Sequence, residues 1–242
     1  MMQVIDAIWE KRNLGTDVLE VQCETSDSSE ALKSVLQSIK VPYSVCKIPS
    51  GEVELLKCAQ ELDYQVVEMS ICMEGKLKDI ALPKVYERFM KDVTVKEADE
   101  DEIEYVLKHI EQGELFATDR IALDSCYGKK IAGKRYGNWV KDLLPKGARV
   151  CIALFKDIPV AFGINLDKEN SVSDAFLGGI LSNEEGSGLG FLSLYANIVT
   201  AQKYGNRKII SNVSSNNPAI INLHLQFGYK IRSMQYVLIK HQ

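Results

Sequence analysis

Short apolar runs alternate with amphipathic segments along the first third of the chain. Runs rich in Val, Ile and Cys predict strands, and apolar residues spaced three and four apart predict helices. Strands that alternate with helices are typical of an α/β domain. The predicted strands lie at 3–8, 17–23, 42–48 and 64–73, and the predicted helices at 28–39 and 51–62.

The same alternation continues after a polar, charge-rich connector at 74–92. A strand begins at Val93, and the basic stretch 118–144 is predicted to become helical toward its end. We expect a mixed sheet flanked by helices, with a smaller N-terminal α/β domain at 1–85 and a second domain at 86–242. The remaining predicted strands are 149–155, 159–166, 174–181, 207–213 and 229–239, and the remaining helices are 99–112, 190–204 and 217–226.

An internal repeat relates the two parts of the chain. Segment 44–73 aligns with 209–238 without a gap, and both copies read strand, helix, tight turn, strand. True structural repetition and chance similarity of two amphipathic units are equally compatible with this alignment. If the repeat is real, we expect no cofactor in the first copy, which has no glycine-rich loop and carries Ala59 where the second copy carries His224.

Composition limits the classes of partner. The 242 residues are 46% apolar and 26% charged, which is typical of a chain that folds around its own core. A net charge of −4 provides no field that would attract nucleic acid or an anionic membrane, so neither partner is expected. The start of the chain has no basic leader, and no apolar run is long enough to span a bilayer. We therefore expect a cytoplasmic location.

Cysteine and histidine spacing predicts no metal site. The six cysteines form no CxxC pair, and the three histidines are far apart in the sequence. Most of the cysteines lie in apolar runs, where cysteine behaves as a small hydrophobe, so free thiols are favoured over disulfides.

Three glycines at alternate positions form the sharpest chemical feature, Gly186, Gly188 and Gly190, between the strand at 174–181 and the helix at 190–204. Such a loop lets backbone amides approach an anion, and the helix N-terminus adds partial positive charge. The spacing is not GxGxxG, and the loop comes late in the chain, so a Rossmann dinucleotide site is disfavoured. The loop predicts phosphate binding, with a ligand-free turn as the alternative.

A second pattern follows one helix and one strand later. Asn217 and Pro218 suit the start of a helix, His224 lies on that helix, and Gly228 suits its C-terminal turn. The two patterns together resemble the GCN5-related N-acetyltransferases over roughly residues 93–242. The resemblance implies the fold of that family, with the N-terminal domain as a degenerate half-copy, and acetyl-CoA as cosubstrate.

The resemblance also implies roles for individual residues. His224 takes the position of the family's general-acid tyrosine, and a histidine can protonate a departing thiolate when its pKa lies near working pH. A packing residue is the alternative for His224. Glu185, beside Glu184, stands where the family has an arginine, and two carboxylates there would weaken binding of a pyrophosphate unless they point away. The residues implied to bind coenzyme A are Gly179, Ile180, Leu181, Gly186, Ser187, Gly188, Leu189, Gly190 and Asn217.

Several shorter segments resemble members of the family that acetylate nucleotide-activated amino sugars. The likeness implies that Arg120 binds an acceptor phosphate, with a solvated helix face as the alternative. A protein or small-amine acceptor, or a coenzyme A-binding protein with little activity, also remains open, as does a homodimer. Asp174 and Asp124 are possible general bases, although both are more typical of solvated acids. The segments in question are Trp9-Glu10, Asn13-Leu14-Gly15, 116–120 and 136–140.

Overall fold

One mixed sheet of ten strands extends through the computed structural model, which describes residues 2–181 and 188–242. Its spatial order is β1-β2-β3-β10-β4-β9-β8-β7-β6-β5, in which β2–β3 and β8–β9 are parallel pairs. The strands are β1 Gln3–Asp6, β2 Val18–Gln22, β3 Tyr43–Pro49, β4 Gln65–Lys76, β5 Val93–Glu97, β6 Arg149–Phe155, β7 Ile158–Lys168, β8 Val172–Ile180, β9 Lys208–Ser214 and β10 Lys230–His241.

Helices cover both faces of this sheet. Among the described residues, no helix is both long enough and apolar enough to cross a membrane. The helices are α1 Ile8–Leu14, α2 Ser29–Ser38, α3 Val53–Glu61, α4 Lys84–Glu87, α5 Glu100–Glu111, α6 Arg120–Leu123, α7 Lys129–Leu143, α8 Leu192–Lys203 and α9 Pro218–Gln226. Short 3-10 turns occupy Met90–Asp92, Leu144–Lys146 and Glu169–Ser171.

Alternation along the strands divides the core between the two faces. On one face, Ile152 and Ile164 pack with α5 and α7. On the other face, Ala153 and Ala161 pack with α8, and Ile209 joins the same cluster. These small alanine side chains let α8 lie close to the sheet.

The predicted mixed sheet flanked by helices is confirmed, and most predicted elements lie within two or three residues of the observed ones. The predicted strand 3–8 is too long, because β1 ends at Asp6 and helix α1 begins at Ile8. The sequence pattern missed α1 because Ile8 and Trp9 are 70% and 46% exposed and form no buried stripe. The predicted connector also contains the end of β4 and the short helix α4.

The sheet is continuous across the predicted boundary between residues 85 and 86. β10, from the C-terminal part, lies between β3 and β4 and pairs antiparallel with both. β4 in turn pairs with β9. The division at residue 85 therefore stays a prediction about sequence organisation, since each part supplies strands that the other part pairs with.

Strand register shows that the internal repeat is structural. In the alignment, Met69 corresponds to Met234 and Ile71 corresponds to Tyr236. The symmetry-related counterpart of the pair Met69–Tyr236 is therefore Ile71–Met234, and both pairs are present in the β4–β10 ladder. The β-bulges are exchanged in the same way. Hydrogen bonds outside the ladder have the same symmetry. The amide of Ser50 donates to the carbonyl of Met234 at 2.9 Å, and the corresponding amide of Ser215 donates to the carbonyl of Met69 at 2.9 Å. An approximate two-fold axis therefore passes between β4 and β10.

Candidate active site

The parallel strands β8 and β9 separate partway along their length. They pair only where 172–174 meets 208–210, and no further pair joins them beyond that point. The related strands β2 and β3 of the first copy stay paired over five positions, 18–22 with 43–47. The second copy thus opens a gap that the first copy keeps closed, at the carboxyl ends of parallel strands, where α/β proteins commonly bind ligands.

A cavity of about 670 Å³ occupies this gap. Its lining side chains come from helices on both faces of the sheet, so the gap joins the two faces. On one face, α8, α9 and the turn before α9 contribute Ser193, Asn197, Asn217, Ile220 and His224. The opposite face contributes Trp9, Glu10, Asn13, Arg120, Arg135, Tyr136 and Trp139. The strands contribute, among others, Glu68, Ser70, Asp174, Phe176, Gly178, Asn212 and Ser214.

His224 reaches the cavity from α9 and is 2% exposed. Its Nδ1 donates to the carbonyl of Ile220 at 2.8 Å, while its Nε2 is buried without a hydrogen-bond partner among the described residues. Burial lowers the pKa of His224 to about 4, against a weaker opposing effect of the Ile220 carbonyl. The expectation of a pKa near working pH is therefore wrong, and the neutral ring presents a lone pair at Nε2.

Asn217 places the helix that carries His224. Its side chain accepts a hydrogen bond from the amide of Ile220 at 3.2 Å and so caps the first turn of α9. Its own amide donates to Ser214 at the end of β9. Asn217 therefore joins the gap-forming strand to the helix, and it also lines the cavity.

The segment 179–181, predicted to bind coenzyme A, lies beside the cavity rather than along it. The β8 residues that line the cavity are 174–178, which come directly before the predicted three. The amide of Leu181 already donates to Val160, and the carbonyl of Ile180 accepts from His109 Nε2 at 3.1 Å. A side chain on Gly179 would approach Phe162 to 2.7 Å, so this glycine serves packing. Coenzyme A binding by these three residues stays a prediction.

Only part of the glycine-rich loop is described. Gly186 and Ser187, with Glu184 and Glu185, lie outside the described residues. Gly188 has a φ of +80°, which favours glycine, and Leu189 is buried. The carbonyl of Gly190 accepts a hydrogen bond from Ser193 at the start of α8. The described end of the loop thus leads directly into a helix N-terminus.

Asn197 fixes α8 against the neighbouring strands β7 and β8. Its side-chain amide donates to the carbonyl of Leu177 at 3.1 Å, and its Oδ1 is buried without a partner among the described residues. A side chain at Gly163 would approach that Oδ1 to 2.4 Å, and one at Gly178 would also contact Asn197. The close approach of helix and strands therefore depends on both glycines.

Arg120 lies in the cavity wall, within a buried cluster of charges. It is 7% exposed and donates to Glu10 at 3.1 Å and to the hydroxyl of Tyr43 at 3.2 Å. Arg135 donates to both oxygens of the same Glu10 at 2.8 Å. Burial would raise the pKa of Glu10, but Arg135 and Arg120 together lower it. The guanidinium of Arg120 thus already has an anionic partner, and phosphate binding by it stays a prediction.

Aromatic rings form the wall of the cavity nearest α7. Tyr136 lies between Phe116 and Trp139, with ring centroids 4.2 and 5.9 Å away, and Trp139 contacts Phe176 at 5.5 Å. The hydroxyl of Tyr136 donates to Asp119 at 2.9 Å. These flat surfaces suit contact with an apolar or ring-shaped part of an acceptor.

The two acids named as possible bases occupy different places. Asp174 lines the cavity and pairs with Lys168 at 2.5 Å. Asp124 is bonded to His241 at 2.8 Å and does not line the cavity. Asp124, Cys126 and His241 place ligating atoms within 4.8 Å of one another, a grouping that sequence spacing did not predict because His241 is far away in the chain.

Of the predicted site residues, the cavity brings together Arg120, Asn217 and His224. Sequence reasoning missed Glu68 and Asn197 as cavity residues. No local pattern marks them, because Glu68 reaches the cavity only through the pairing of β4 with β9. The short segments at Trp9-Glu10 and 136–140 did carry a signal, since they supply the opposite wall.

No protein-family model and no curated protein matches this chain. Its fold does match solved structures. A GCN5-related N-acetyltransferase from Sphaerobacter thermophilus has a TM-score of 0.64 at 12% identity, over 99% of this chain and 76% of that one. One from Kribbella flavida has 0.59 at 14%, over 93% and 81%. A tandem GNAT protein of the clavulanic acid biosynthesis pathway has 0.55 at 9%, over 93% and 75%. The chain therefore has the fold of GCN5-related N-acetyltransferases.

Proposed function

We propose that this chain transfers the acetyl group of acetyl-CoA to a primary amine. The observation that carries the proposal is the cavity between β8 and β9, into which the buried His224 presents an unpartnered Nε2. The fold similarity to N-acetyltransferases supports the same activity. Acetyl-CoA supplies a thioester, whose carbonyl carbon accepts the amine and whose sulfur leaves.

The described residues fit this cosubstrate. His224 and Asn197 both line the cavity, and the buried Nε2 of His224 has no hydrogen-bond partner among the described residues, so it is free to meet a thioester there. Neutral His224 can accept a proton from the nitrogen of the tetrahedral intermediate and pass it to the departing sulfur, while Nδ1 stays bonded to Ile220. The role of imidazolium acid, expected from sequence, is replaced by that of a proton carrier that starts neutral.

The finer proposal is an acceptor that is an amino sugar carried by a nucleotide. The aromatic wall of Tyr136 and Trp139 supports it, because flat rings contact sugars and bases well. One structural neighbour is described as a glucosamine N-acetyltransferase region of a fungal multi-domain enzyme, over 81% of this chain and 25% of that one. The six free cysteines suit the proposed cytoplasmic location. A homodimer stays a prediction, which sedimentation would check.

Two measurements on the purified chain test the proposal. Acetyl-CoA should raise the melting temperature, because a ligand that binds only the folded state stabilises it. Loss of thioester absorbance should then follow addition of one amine from a panel of glucosamine, a nucleotide-linked amino sugar, spermidine and a lysine peptide. His224→Phe should keep the thermal shift and lower kcat roughly 10²-fold.

The outcomes separate the alternatives. A thermal shift without turnover of any amine would indicate a coenzyme A-binding protein rather than an enzyme. Gly188→Val should remove the shift, because a β-branched residue is strained at positive φ and blocks backbone approach at the loop. A folded Gly188→Val chain that responds to acetyl-CoA like the parent would show that the loop is not part of the site.

A further inference from the structure

One carboxylate in the cavity wall lacks the partners that the others have. Glu10 is paired with two arginines, Glu20 with Lys47 at 2.7 Å, and Asp142 with Arg12 at 2.6 Å. Glu68 lines the same cavity and makes no ion pair among the described residues. The side chain of Ser214 is hydrogen-bonded to it, and because this partner is neutral, the carboxylate has no counter-ion among the described residues.

Asp119 and Asp174 are more restricted than Glu68. One oxygen of Asp119 accepts from the amide of Ile121 and the other from the hydroxyl of Tyr136, so both are used inside the chain. One oxygen of Asp174 is paired with Lys168, while its Oδ1 is buried without a hydrogen-bond partner among the described residues. Glu68 makes no ion pair among the described residues and can both receive a cation and take a proton from it, whereas the charge of Asp174 is already neutralised by Lys168.

The charges around Glu68 favour a cationic visitor. Asp119, Arg120 and Arg135 all act on Glu68 through space, and Glu10 joins the two arginines. Three carboxylates face two guanidiniums, which leaves one negative charge uncompensated in a half-buried place. An uncompensated buried charge is unfavourable, and one ammonium group would neutralise it. A dianionic group would instead add to the negative charge around Glu68.

We propose that Glu68 receives the ammonium group of the acceptor and takes one proton from it, so that the first copy of the repeat supplies the base for a reaction whose gap lies in the second copy. This inference rests on the proposed acetyl transfer. The position of Glu68 supports it. Ser70 pairs with Ser214, the last residue of β9, and Glu68 lies two residues before Ser70 on β4. Glu68 is on the face of the sheet that carries Arg120 and Arg135, opposite α9, and it lines the same cavity as His224.

Two proton transfers accompany the proposed reaction. The N–H bond of the ammonium breaks and its proton moves to Glu68, which leaves a neutral amine. The amine nitrogen bonds to the thioester carbon, and the carbonyl electron pair moves to oxygen. His224 Nε2 takes the second proton from the nitrogen. The electron pair on oxygen then re-forms the carbonyl as the carbon–sulfur bond breaks and its electrons leave on sulfur, and the proton on His224 goes to this thiolate. The products are an amide, a thiol and a protonated Glu68, which releases its proton to water.

The environment of Glu68 suits this task. Burial and the nearby Asp119 raise its pKa, against opposing effects of Ser214, Arg120 and Arg135. A base whose pKa is closer to neutral accepts a proton more readily than an ordinary glutamate. The repeat-related residue is Ser233, which cannot act in this way, so the two copies have different chemistry at matching positions.

The test compares Glu68→Gln with Glu20→Gln, another cavity glutamate that is already held by Lys47. The kcat of each variant is measured against pH with the best amine of the panel, and acetyl-CoA affinity is measured by calorimetry. Glu68→Gln should keep the acetyl-CoA Kd within about twofold and lower kcat at neutral pH by roughly 10²-fold or more. Its ascending pH limb should move toward the pKa of the free amine, whereas Glu20→Gln should leave that limb in place.

An active parent together with a Glu68→Gln variant whose kcat lies within about threefold and whose limb is unmoved would overturn the role of Glu68 alone. A parent that binds acetyl-CoA and acetylates no amine would overturn the proposed function, and the role of Glu68 with it. If Glu68→Gln does not fold, Glu68→Ser, which installs the repeat-related residue, is judged by the same two criteria.

Discussion

Ser70 and Gln235 lie directly opposite each other at the centre of the β4–β10 ladder, and exchanging the two copies of the repeat returns this pair to itself. Every other pair of the ladder is converted into another that is also present. The two copies therefore meet at this pair. The cavity that contains His224 and Glu68 lies on the side of the second copy, where β8 and β9 separate, whereas the corresponding strands β2 and β3 of the first copy stay paired.

Removing the shared partner of the two buried arginines should destabilise the fold strongly. Glu10 is 2% exposed, and Glu10→Gln would leave Arg120 and Arg135 without their ion-pair partner. Loss of one partner of a buried ion pair costs ~3–5 kcal/mol. Urea unfolding measures this change, with Asp142→Asn as the control because the Arg12–Asp142 pair is exposed and is worth no more than ~1 kcal/mol. Equal losses in the two variants would contradict the account.

The stability of the chain should depend on His224 at mildly acidic pH. The folded pKa of about 4 lies below the ordinary value of 6.5, so the unfolded chain binds a proton first as pH falls. His224 therefore stabilises the fold fully above about pH 6.5, and this contribution is lost as pH falls toward 4. Between pH 7 and pH 5 the loss is about 2 kcal/mol.

His224→Phe isolates that contribution from the carboxylates that titrate in the same range. The fall in unfolding free energy from pH 7 to pH 5, measured with urea, should be smaller in the variant by about the same 2 kcal/mol. Identical falls in parent and variant would show that His224 is protonated as easily in the folded chain as in the unfolded one.

Separated halves should not fold independently. A fragment of residues 1–85 contains β3 and β4 but not β10, which lies between them, and a fragment of residues 86–242 lacks the partner β4 that β9 requires. Circular dichroism of each fragment should show little cooperative unfolding, and mixing the two should restore it. A cooperative thermal transition in the isolated 1–85 fragment would show that the division at residue 85 separates two folding units.

Local pattern was sufficient to predict most of the strands and helices, because each shows a clear apolar period. The continuous sheet was not predictable in the same way. Nothing in the residues of β10 indicates that it lies between β3 and β4, and only the gapless alignment of 44–73 with 209–238 hinted at this symmetry. Long-range pairing is decided by the whole sheet rather than by any one strand.

The site was predictable where its residues stand in a motif and not where they meet through the fold. His224 and Asn217 belong to one helix and its cap, as the sequence pattern predicts, and both line the cavity. The neutral state of His224 depends on its burial, which spacing does not reveal. Arg120 was recognised as a charged residue of interest, but its pairing with Glu10 joins α6 to α1, a helix that the pattern missed.

The most direct test of the account is a crystal structure of the chain with coenzyme A bound. We expect density for the pantetheine in the gap between β8 and β9, beyond the last pair at Asp174 and Ile210, with the sulfur facing Nε2 of His224. The aromatic wall around Tyr136 should remain free for the acceptor. Coenzyme A bound outside this gap, or a sulfur remote from His224, would contradict the assignment of the cavity as the site of acetyl transfer.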